Sequence, residues 1–417
     1  MLDMLVFGII IPVFPHLVQE MTGGELTTAA QWTGIVGASF GLMQFLFSPV
    51  QGALSDRFGR RPVILLSNLG LGVDLIVMAL AHSLPLLFIG RLISGITAAS
   101  FTTANAYIAD VTPKEKRAAS YGLLGAAVGI GFVLGPALGG LLGAISPRLP
   151  FWVAAGLALA NFLYGYFILP ESLPKERRSA RFDLRGANPL GALKLLRRYP
   201  QVMWLAVVLF LVQLSQFSLN STFVLFADYR FQWGAQEVGY TLALMGLFSG
   251  LVQAVLLRKL VPRFGERRLM LAGMLFGIGA FVTFGISTNS SVFLLGMPLL
   301  ALWGLCGPST QSLMTQQVDP TEQGRLQGAI SSLAGLAMII GPILFSQVFA
   351  ASIAADAGYD LPGAAFLLSA ALVAVGVVLG WRVTANRTPA APLAPTEVVA
   401  SDPAATSPSD AIPKPQV

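Results

Sequence analysis

The sequence predicts an all-α membrane protein with twelve transmembrane helices, arranged as two related six-helix bundles. Two observations carry this prediction. The 417 residues are 55% hydrophobic and only 11% charged, whereas an ordinary soluble domain is about a quarter charged. The apolar residues also form near-continuous runs of about 20 residues, the length that crosses a bilayer as a helix. Lipid is therefore the expected solvent for most of the chain.

The predicted spans are the twelve apolar runs that lie between charged or Pro/Gly-rich breaks. They cover residues 2–20, 32–53, 62–82, 86–107, 117–143, 150–169, 201–225, 236–257, 268–287, 291–314, 324–350 and 363–382. We expect an N-terminal bundle over 1–169, a basic cytoplasmic linker over 170–199 and a C-terminal bundle over 200–384. The tail over 385–417 is rich in Pro, Ala, Ser and Thr, a composition typical of disorder.

Positive charge is concentrated on one side of the predicted membrane. Placing the N-terminus in the cytoplasm puts 23 of the 26 Lys and Arg residues on the cytoplasmic side and leaves Arg91, Arg148 and Arg230 elsewhere. Because Lys and Arg are enriched in cytoplasmic loops, both termini are expected there. The asymmetry accounts for the formal net charge of +6, so it gives no reason to expect a nucleic-acid partner. The linker is basic enough to lie on an anionic leaflet.

The second half of the chain repeats landmarks of the first half at a constant spacing. Arg57-Phe58-Gly59 recurs as Arg263-Phe264-Gly265, and Gly135-Pro136 recurs as Gly341-Pro342, in both cases 206 residues later. A duplicated unit of six helices keeps its orientation in the membrane, so the halves are expected to be related by an axis along the membrane normal. Chance similarity of basic loops is the alternative.

Three ionisable residues, Asp3, Asp74 and Arg91, lie inside apolar runs. A charge in the membrane costs about 2.5–3.5 kcal/mol on insertion scales, so such residues persist where they face a cavity or a partner. Asp74 lies near mid-membrane and is our candidate for reversible proton loading, with Asp3 as a second. The alternatives for Asp74 are a structural ion pair with Arg91 or a hydrogen bond to a neighbouring helix. Arg91 is either that partner or a group that orients a polar substrate in a cavity.

The loop after the second predicted span carries a specific motif, which reads Gly52-Ala53-Leu54-Ser55-Asp56-Arg57-Phe58-Gly59-Arg60-Arg61-Pro62. Gly52 and Gly59 permit close backbone approach, and Asp56 can cap a neighbouring helix. Arg60 can reach an acid on another helix, for which Asp110 is our candidate. The motif resembles the signature of the major facilitator superfamily. The resemblance implies a cytoplasmic gate that closes in one state and opens in the other, formed by Gly52, Asp56, Arg57, Gly59, Arg60, Arg61 and Asp110.

A solvated turn that only enforces orientation is the alternative for this loop. In the second copy of the motif, Pro262 replaces the acid, so we expect a weaker latch in that half.

The fifth predicted span carries a glycine stripe, formed by Gly131, Gly135, Pro136, Gly139 and Gly140. Glycines four residues apart let two helices touch backbone to backbone, and a proline bends a helix where neighbours can satisfy the freed carbonyl. The stripe resembles the motif that marks the antiporter branch of the superfamily. We interpret it as a packing and hinge element without substrate contact, with generic tight helix packing as the alternative.

The first predicted span contains a motif that is more specific than the superfamily signature. It carries Asp3, Gly8, Pro12 and Pro15 at spacings similar to those of the tetracycline/proton antiporter family, and Gly90 to Thr97 is similar to that family too. The likeness extends over about residues 1–385 and is densest before residue 170. It implies that Asp3 and Asp74 are the membrane carboxylates that handle protons and substrate.

Three positions depart from that family. Val6 stands where an extra glycine is usual, and Ser249 and Gly277 stand where members that move tetracycline carry a histidine and an acid. The first span is also short, with seventeen residues from Leu2 to Val18, so we hypothesise a true start codon upstream.

Polar side chains in the second half are candidates for the wall of a substrate cavity. They are Gln213, Gln216 and Asn220 on one face of the seventh span, Ser249 and Gln253 on the eighth, and Gln311 on the tenth, together with Arg91 from the first half. Each could equally make an interhelical hydrogen bond.

The function implied by the resemblance is proton-coupled efflux of a small drug-like molecule across the bacterial inner membrane by alternating access. A transporter of an endogenous metabolite is the main alternative. A receptor or an intramembrane enzyme is disfavoured because no nucleophile–base pair or acid cluster has suitable spacing. One cysteine and two separated histidines predict neither a metal site nor a cofactor. The expected partners are the substrate, protons and the bilayer, and the chain is expected to act as a monomer.

Overall fold

The computed structural model describes residues 2–98, 100–113, 116–178, 191–354 and 360–385. Within these ranges all regular secondary structure is helical. The predicted disordered tail lies, apart from its first residue, outside the described residues, as does much of the linker.

Eight helices form the N-terminal half. They are α1 Leu2–Ile10, α2 Phe14–Met21, α3 Leu26–Phe58, α4 Arg60–Leu80, α5 Leu84–Thr97, α6 Ser100–Val111, α7 Arg117–Ile145 and α8 Leu149–Ile168. The first predicted span is not one continuous helix, because α1 and α2 meet at an angle of 41° around Pro12, whose ring and missing N–H interrupt the helical ladder. The fourth predicted span is likewise divided into α5 and α6 next to Ala98.

Eight further helices form the C-terminal half. They are α9 Pro200–Phe231, α10 Ala235–Leu251, α11 Leu257–Phe264, α12 Glu266–Ile286, α13 Ser290–Trp303, α14 Cys306–Thr315, α15 Gln323–Ile353 and α16 Ala364–Ala385. A π-helical turn, Val252–Leu256, joins α10 to α11. The tenth predicted span is divided into α13 and α14 at Gly304 and Leu305. Short 3₁₀ helices cover Lys175–Arg177, Gly191–Arg198 and Pro320–Glu322.

The count of membrane-crossing elements agrees with the predicted twelve. Ten helices are long and apolar enough to cross a membrane, and the bent pair α1–α2 makes eleven. The shorter apolar helix α5 continues through α6 as the twelfth. Some helices outrun their predicted spans: α3 covers Leu26–Phe58 rather than 32–53, and α9 ends at Phe231 rather than at residue 225. Hydropathy locates the apolar part of a helix, whereas the hydrogen-bonded ladder continues into the polar interface.

The buried hydrophobic residues form two main clusters that follow the two halves of the chain. One is built almost wholly from the C-terminal half and the other from the N-terminal half. Three residues belong to the cluster of the other half: Ala30 and Leu26 pack with the C-terminal cluster, and Ala235 packs against the N-terminal cluster. Each half therefore has its own core, and the halves meet along two extensive helix pairs, α3 with α15 and α7 with α10.

We call the two ends of the molecule the basic end and the opposite end. The basic end carries the connections at Gly59, at Thr112 and Pro113, at 169–178, at Gly265 and at 316–322. The opposite end carries the connections at 22–25, 81–83, 146–148, 232–234 and 287–289.

The two halves touch each other from mid-depth to the opposite end. On one side α3 packs on α15, where a methyl group on Gly41 would lie 2.9 Å from Met338 Cγ and one on Gly34 would lie 2.6 Å from the carbonyl oxygen of Pro342. On the other side α7 packs on α10, where a methyl group on Gly140 would lie 2.9 Å from Gly239 Cα. These approaches leave no room for a side chain, so the opposite end is closed.

The same helix faces separate toward the basic end. Gly52 lies on the face of α3 that carries Gly41, and Gly125 and Gly129 lie on the face of α7 that carries Gly140, at helical spacings. A methyl group on Gly52, Gly125, Gly129 or Gly250 would meet no atom within 4 Å. The protein is therefore open at the basic end and closed at the opposite end.

Candidate functional site

An ion pair lies buried between α4 and α5. Arg91 donates from Nη2 to Asp74 Oδ2, and Asp74 and Arg91 are 0% and 8% exposed. Arg91 Nη2 also lies 2.9 Å from Met78 Sδ. The guanidinium faces the rings of Phe40 and Phe14 at 5.6 and 6.0 Å. An aromatic face attracts a cation, so the rings add to the stabilisation of the buried charge.

This pair is incompletely satisfied. Asp74 Oδ1 and Arg91 Nε are buried, and neither has a hydrogen-bond partner among the described residues. A buried polar atom without a partner destabilises the folded state. A bound proton, a water molecule or a movement of α4 against α5 can supply the missing partner and remove this penalty. Because Arg91 is enclosed by these groups, it does not line open space in this conformation. Its placement favours the ion-pair alternative over substrate contact.

The second membrane carboxylate, Asp3, lies at the start of α1 and is half-buried. Asn161 of α8 donates from Nδ2 to Asp3 Oδ1 over 2.9 Å. Asp3 therefore joins α1 to α8 within the N-terminal half and is separate from the Asp74–Arg91 pair. Asn161 is not among the predicted site residues, although an amide inside an apolar span is a signal for such a role.

The basic loop after α3 is organised by Arg60. Its Nε lies 3.1 Å from Asp110 Oδ2 at the end of α6, and its Nη1 lies 2.5 Å from Asp56 Oδ1 and 2.6 Å from Ser55 Oγ. Arg60 thus connects the end of α3 and the start of α4 to the end of α6. The structure brings together Arg60 and Asp110, the two residues that the sequence analysis paired.

Helix capping in this loop differs from the expectation. Asp56 does not cap a neighbouring helix, because its carboxylate is taken by Arg60. Glu171, which the sequence analysis missed, caps α4 instead: it accepts from the backbone N–H of Arg60 at 2.8 Å and of Arg61 at 3.3 Å. A carboxylate suits the positive end of a helix dipole. Gly59, with φ of +108°, provides the turn that exposes these N–H groups.

The other predicted gate residues, Arg61, Arg57 and Gly52, each lie in a different environment. Arg61 donates to the carbonyl of Tyr166 in α8, and the guanidinium of Arg57 lies over the ring of Phe58 at 5.3 Å. Gly52 makes no close backbone approach in this conformation, contrary to expectation, because it faces the gap between the halves.

The second half has a different latch at the equivalent place. Glu266 and Gln316 stand 206 residues after Arg60 and Asp110. Gln316 Nε2 donates to Glu266 Oε2 over 2.5 Å, and Ser312 donates to Glu266 Oε1. In the second half, therefore, the Glu266 carboxylate accepts hydrogen bonds from two neutral side chains, whereas the first half has an ion pair at the equivalent place. The weaker latch expected in this half stays a prediction, and the residues in contact are not those that the repeat of Arg57 to Gly59 indicated.

The glycine stripe of α7 holds α1 at backbone distance. A methyl group on Gly135 would lie 2.7 Å from Gly8 Cα, and one on Gly131 would lie 2.9 Å from the Leu5 nitrogen. Gly139 faces the backbone of Ile9 in the same way. On its adjoining face, α7 meets α10 through Gly140 and the carbonyl of Pro136, which lies against Gly239. The stripe is therefore a packing element in both directions, within its own half and across to the other.

The three amides of α9 lie on one face of that helix. Ser215 bonds to the Ser369 carbonyl in α16, and Phe217 packs against Gly341 in α15, so those neighbours take the flanking faces. Gln213 is half-buried, whereas Gln216 and Asn220 are exposed. These amides lie midway along α9, and they can both donate and accept hydrogen bonds.

The remaining cavity candidates lie beside two irregular turns. Gln253 is exposed in the π turn, and its Nε2 lies 4.0 Å from the position of a methyl group on Gly304, at the break between α13 and α14. Ser249 and Gln311 are half-buried. Turns of the π type are frequent at functional sites, and neither this one nor the break could be read from hydropathy.

Position 277 is closed to any side chain. The indole of Trp303 lies against Gly277, where a methyl group would be 2.9 Å from both Cγ and Nε1. An aromatic ring therefore fills the space beside Gly277. Within the described ranges, no three His, Cys, Asp or Glu side chains come together as a metal site would need.

A polar cluster ties the linker to the C-terminal half at the basic end. Tyr199 donates to Glu322 at 2.7 Å and to Asp319 at 3.1 Å, and Arg198 lies 3.1 Å from Glu322. The hydrogen bond to Glu322, followed by desolvation and the bond to Asp319, raises the pKa of Tyr199 to about 12. The two acids are therefore already engaged.

The chain is similar to bacterial drug-resistance proteins along most of its length. It is 40% identical to the tetracycline resistance protein, class C, of Escherichia coli, over 84% of this chain and 88% of that protein. It is 36% identical to the class D protein of Salmonella ordonez, over 84% and 87% of the two chains.

Solved structures agree with this likeness. The crystal structure of the human organic anion transporter MFSD10 (TETRAN) superposes with a TM-score of 0.67 at 26% identity, covering 91% of this chain and 96% of that one. The family model described as Major Facilitator Superfamily matches residues 1–342 and 210–412. These matches, together with the repeated six-helix halves, show that the chain belongs to the major facilitator superfamily and is a multi-pass membrane transporter rather than an enzyme.

Proposed function

We propose that this transporter is a proton-coupled efflux antiporter that exports a small drug-like molecule across the bacterial inner membrane. Tetracycline is the first substrate to test, because relatives at 40% and 36% identity are tetracycline resistance proteins. The observation that carries the proposal is the buried Asp74–Arg91 pair. A charge pair enclosed at mid-membrane is costly to keep and typical of ion pathways.

The pair gives a physical route for coupling. Protonation of Asp74 removes the negative charge and leaves Arg91 buried without its counter-charge. This conformation is then destabilised, which favours a movement of the surrounding helices. A ligand that biases one conformation must oppose a ligand that biases the other. A proton on Asp74, assisted by Asp3, and the substrate in the cavity therefore compete, and inward proton flow drives export.

The open end gives the direction of substrate entry. The basic end is the cytoplasmic side by the positive-inside rule, with both termini on that side. The described conformation then takes substrate from the cytoplasm and releases the proton there. Rocking of the halves 1–169 and 200–384 about the cavity would open the opposite end, with a monomer as the working unit.

The amides of the C-terminal half are assigned to substrate binding, and the residues of the basic loop are assigned to the conformational change. Gln213, Gln216 and Asn220 form a wall for the polar groups of the substrate, with Ser249, Gln253 and Gln311 further along the same half. The contacts of Arg60 with Asp56 and Asp110 are made while the basic end is open, so they brace the N-terminal half on that side, while Gly52 gives room for α15 when the basic end closes.

Transport of an endogenous metabolite is the second candidate. The observation that favours it is that the indole of Trp303 packs against Gly277 and leaves no space for a side chain there. Relatives that move tetracycline are expected to carry an acid at this position. Uncharged amides remain to bind the substrate in that half.

Proton flux in proteoliposomes tests both candidates. We expect a tetracycline or another drug to evoke proton movement with the wild type and none with Asp74→Asn. A response to metabolites alone would select the second candidate. If no compound in a panel of tetracyclines, other drugs and metabolites moves protons, antiport is refuted; flux that survives Asp74→Asn removes Asp74 from the mechanism.

A further inference from the structure

An apolar crevice opens in the C-terminal half near the basic end. It encloses about 220 Å³ between α9 and α15, beside the 3₁₀ helix Gly191–Arg198. Its walls are Leu196 of that helix, four apolar residues of α9 from Met203 to Phe210, and Leu333 and Leu336 of α15. No polar side chain contributes to it, so a polar substrate has nothing to bind there.

The crevice lies on the lipid-facing side of α15. Leu333, Leu336, Ile340 and Ile343 follow one another at spacings of three and four, which places them on one face of the helix. Ile340 and Ile343 are 44% and 42% exposed. The face that meets α3 is a different one, marked by Met338 and Pro342. A continuous exposed apolar row on a membrane helix suits contact with acyl chains.

Two cations lie on the same 3₁₀ helix as Leu196, which forms part of the crevice wall. In the 3₁₀ helix, Leu195 and Leu196 are buried against the bundle, whereas Lys194 and Arg197 are exposed. Along the described chain, no carboxylate lies within ion-pairing distance of either cation. The nearby Glu322 does not neutralise them, because it is engaged by Arg198, Arg325 and Tyr199.

We propose that this crevice binds one anionic phospholipid, with an acyl chain between α9 and α15 and the phosphate group on Lys194 and Arg197. The depth is appropriate, because the 3₁₀ helix precedes the membrane-crossing α9 and lies at the bilayer interface. The charge is appropriate as well, since two unpaired cations favour a net negative headgroup over a zwitterionic one. The bound lipid would fasten the linker to α15 and so stabilise the C-terminal half.

Native mass spectrometry of the purified transporter with added lipid tests the proposal. We expect phosphatidylglycerol to be retained more strongly than phosphatidylcholine. The variant Lys194→Gln/Arg197→Gln should bind phosphatidylglycerol roughly 30-fold more weakly, given the attraction of each cation at an anionic surface. The matched control is Arg258→Gln/Lys259→Gln, which removes two exposed cations from α11 at the same end and should leave retention unchanged.

A second variant tests the acyl-chain part of the site. Val207→Trp fills the crevice and keeps both cations, so it should also weaken retention. Inorganic phosphate should not displace the lipid. Equal retention of the two lipids, an equal loss in the control, or displacement by phosphate would overturn the proposal. If Val207→Trp does not fold, the exposed charge variant still decides, and its result is independent of whether the protein moves protons.

Discussion

Arg91 on α5 donates a hydrogen bond to Asp74 on α4, and both side chains are almost completely buried. The two helices are therefore joined by buried opposite charges rather than by packing alone. Removal of one partner leaves the other as an uncompensated buried charge, whereas removal of both leaves none. Comparing single and double substitutions can therefore distinguish a structural role of the pair from a role in proton coupling.

The first prediction concerns this pair. Asp74→Asn should lower stability by about 3–5 kcal/mol, the usual cost of breaking a buried ion pair, and should abolish substrate-evoked proton flux. The neutral double variant Asp74→Asn/Arg91→Gln should recover most of the stability, because no charge is left unpaired, but should not recover proton flux. Thermal unfolding in detergent and flux in proteoliposomes measure the two effects.

The double variant is the control for folding. Should it transport with full proton coupling, the pair is structural and the proton is carried elsewhere. Should it fail to regain stability, the pair contributes through its shape rather than its charge.

The sequence predicted the class and the number of spans because the bilayer imposes a length and an apolar composition that can be read directly. It paired Arg60 with Asp110 because the two have opposite charges and both stand at the cytoplasmic ends of predicted spans. It missed Glu171 and Asn161 because their roles depend on how α8 and the following loop fold back on α4 and α1. The breaks at Ala98 and Gly304 and the π turn were missed because they interrupt hydrogen bonding without changing hydropathy.

The second prediction concerns the asymmetry of the two latches. Arg60→Asp should strongly impair transport, because it places a third acid between Asp56 and Asp110, and Arg60→Asp/Asp110→Arg should restore part of it. Glu266→Gln, at the equivalent position, should have a milder effect since its partners Gln316 and Ser312 are neutral. Initial transport rates in vesicles measure this order. A larger loss in Glu266→Gln than in Arg60→Asp would contradict it.

The third prediction concerns the amide wall. Gln216→Leu should raise the KM for the exported substrate roughly 10-fold, the scale of one lost hydrogen bond, with little change in thermal stability because the side chain is exposed. The matched control is Ser215→Ala, whose hydroxyl faces α16 instead; it should change stability rather than KM. An unchanged KM in Gln216→Leu would remove this residue from the substrate wall.

The fourth prediction concerns the stripe of α7. Gly135→Ala should cost about 1–3 kcal/mol of stability, the usual effect of overpacking, because the added methyl group would meet Gly8 Cα at 2.7 Å. Gly125→Ala on the same helix should be tolerated in folding, since no atom lies within 4 Å of its methyl group. Unfolding temperatures of the two variants compare them directly, and equal values would refute the close packing of α1 on α7.

The last prediction concerns closure of the basic end. Gly52→Leu should fold as stably as the wild type, because the site is open in this conformation. It should nevertheless stop transport, since Gly52 lies on the face of α3 that must approach α15 when the basic end closes. Spin labels at Phe58→Cys and Phe264→Cys, both exposed and related by the repeat, report the separation of the halves at that end.

In the wild type the label distance should fall into a long and a short population, whereas in Gly52→Leu only the long one should remain. Gly156→Leu is the matched control, because that glycine also has free space around it but lies on α8, away from the gap. The native Cys306 is buried, so it should not take up label. A short population that persists in Gly52→Leu would mean that the halves close by another path, with α3 and α15 remaining apart at the basic end.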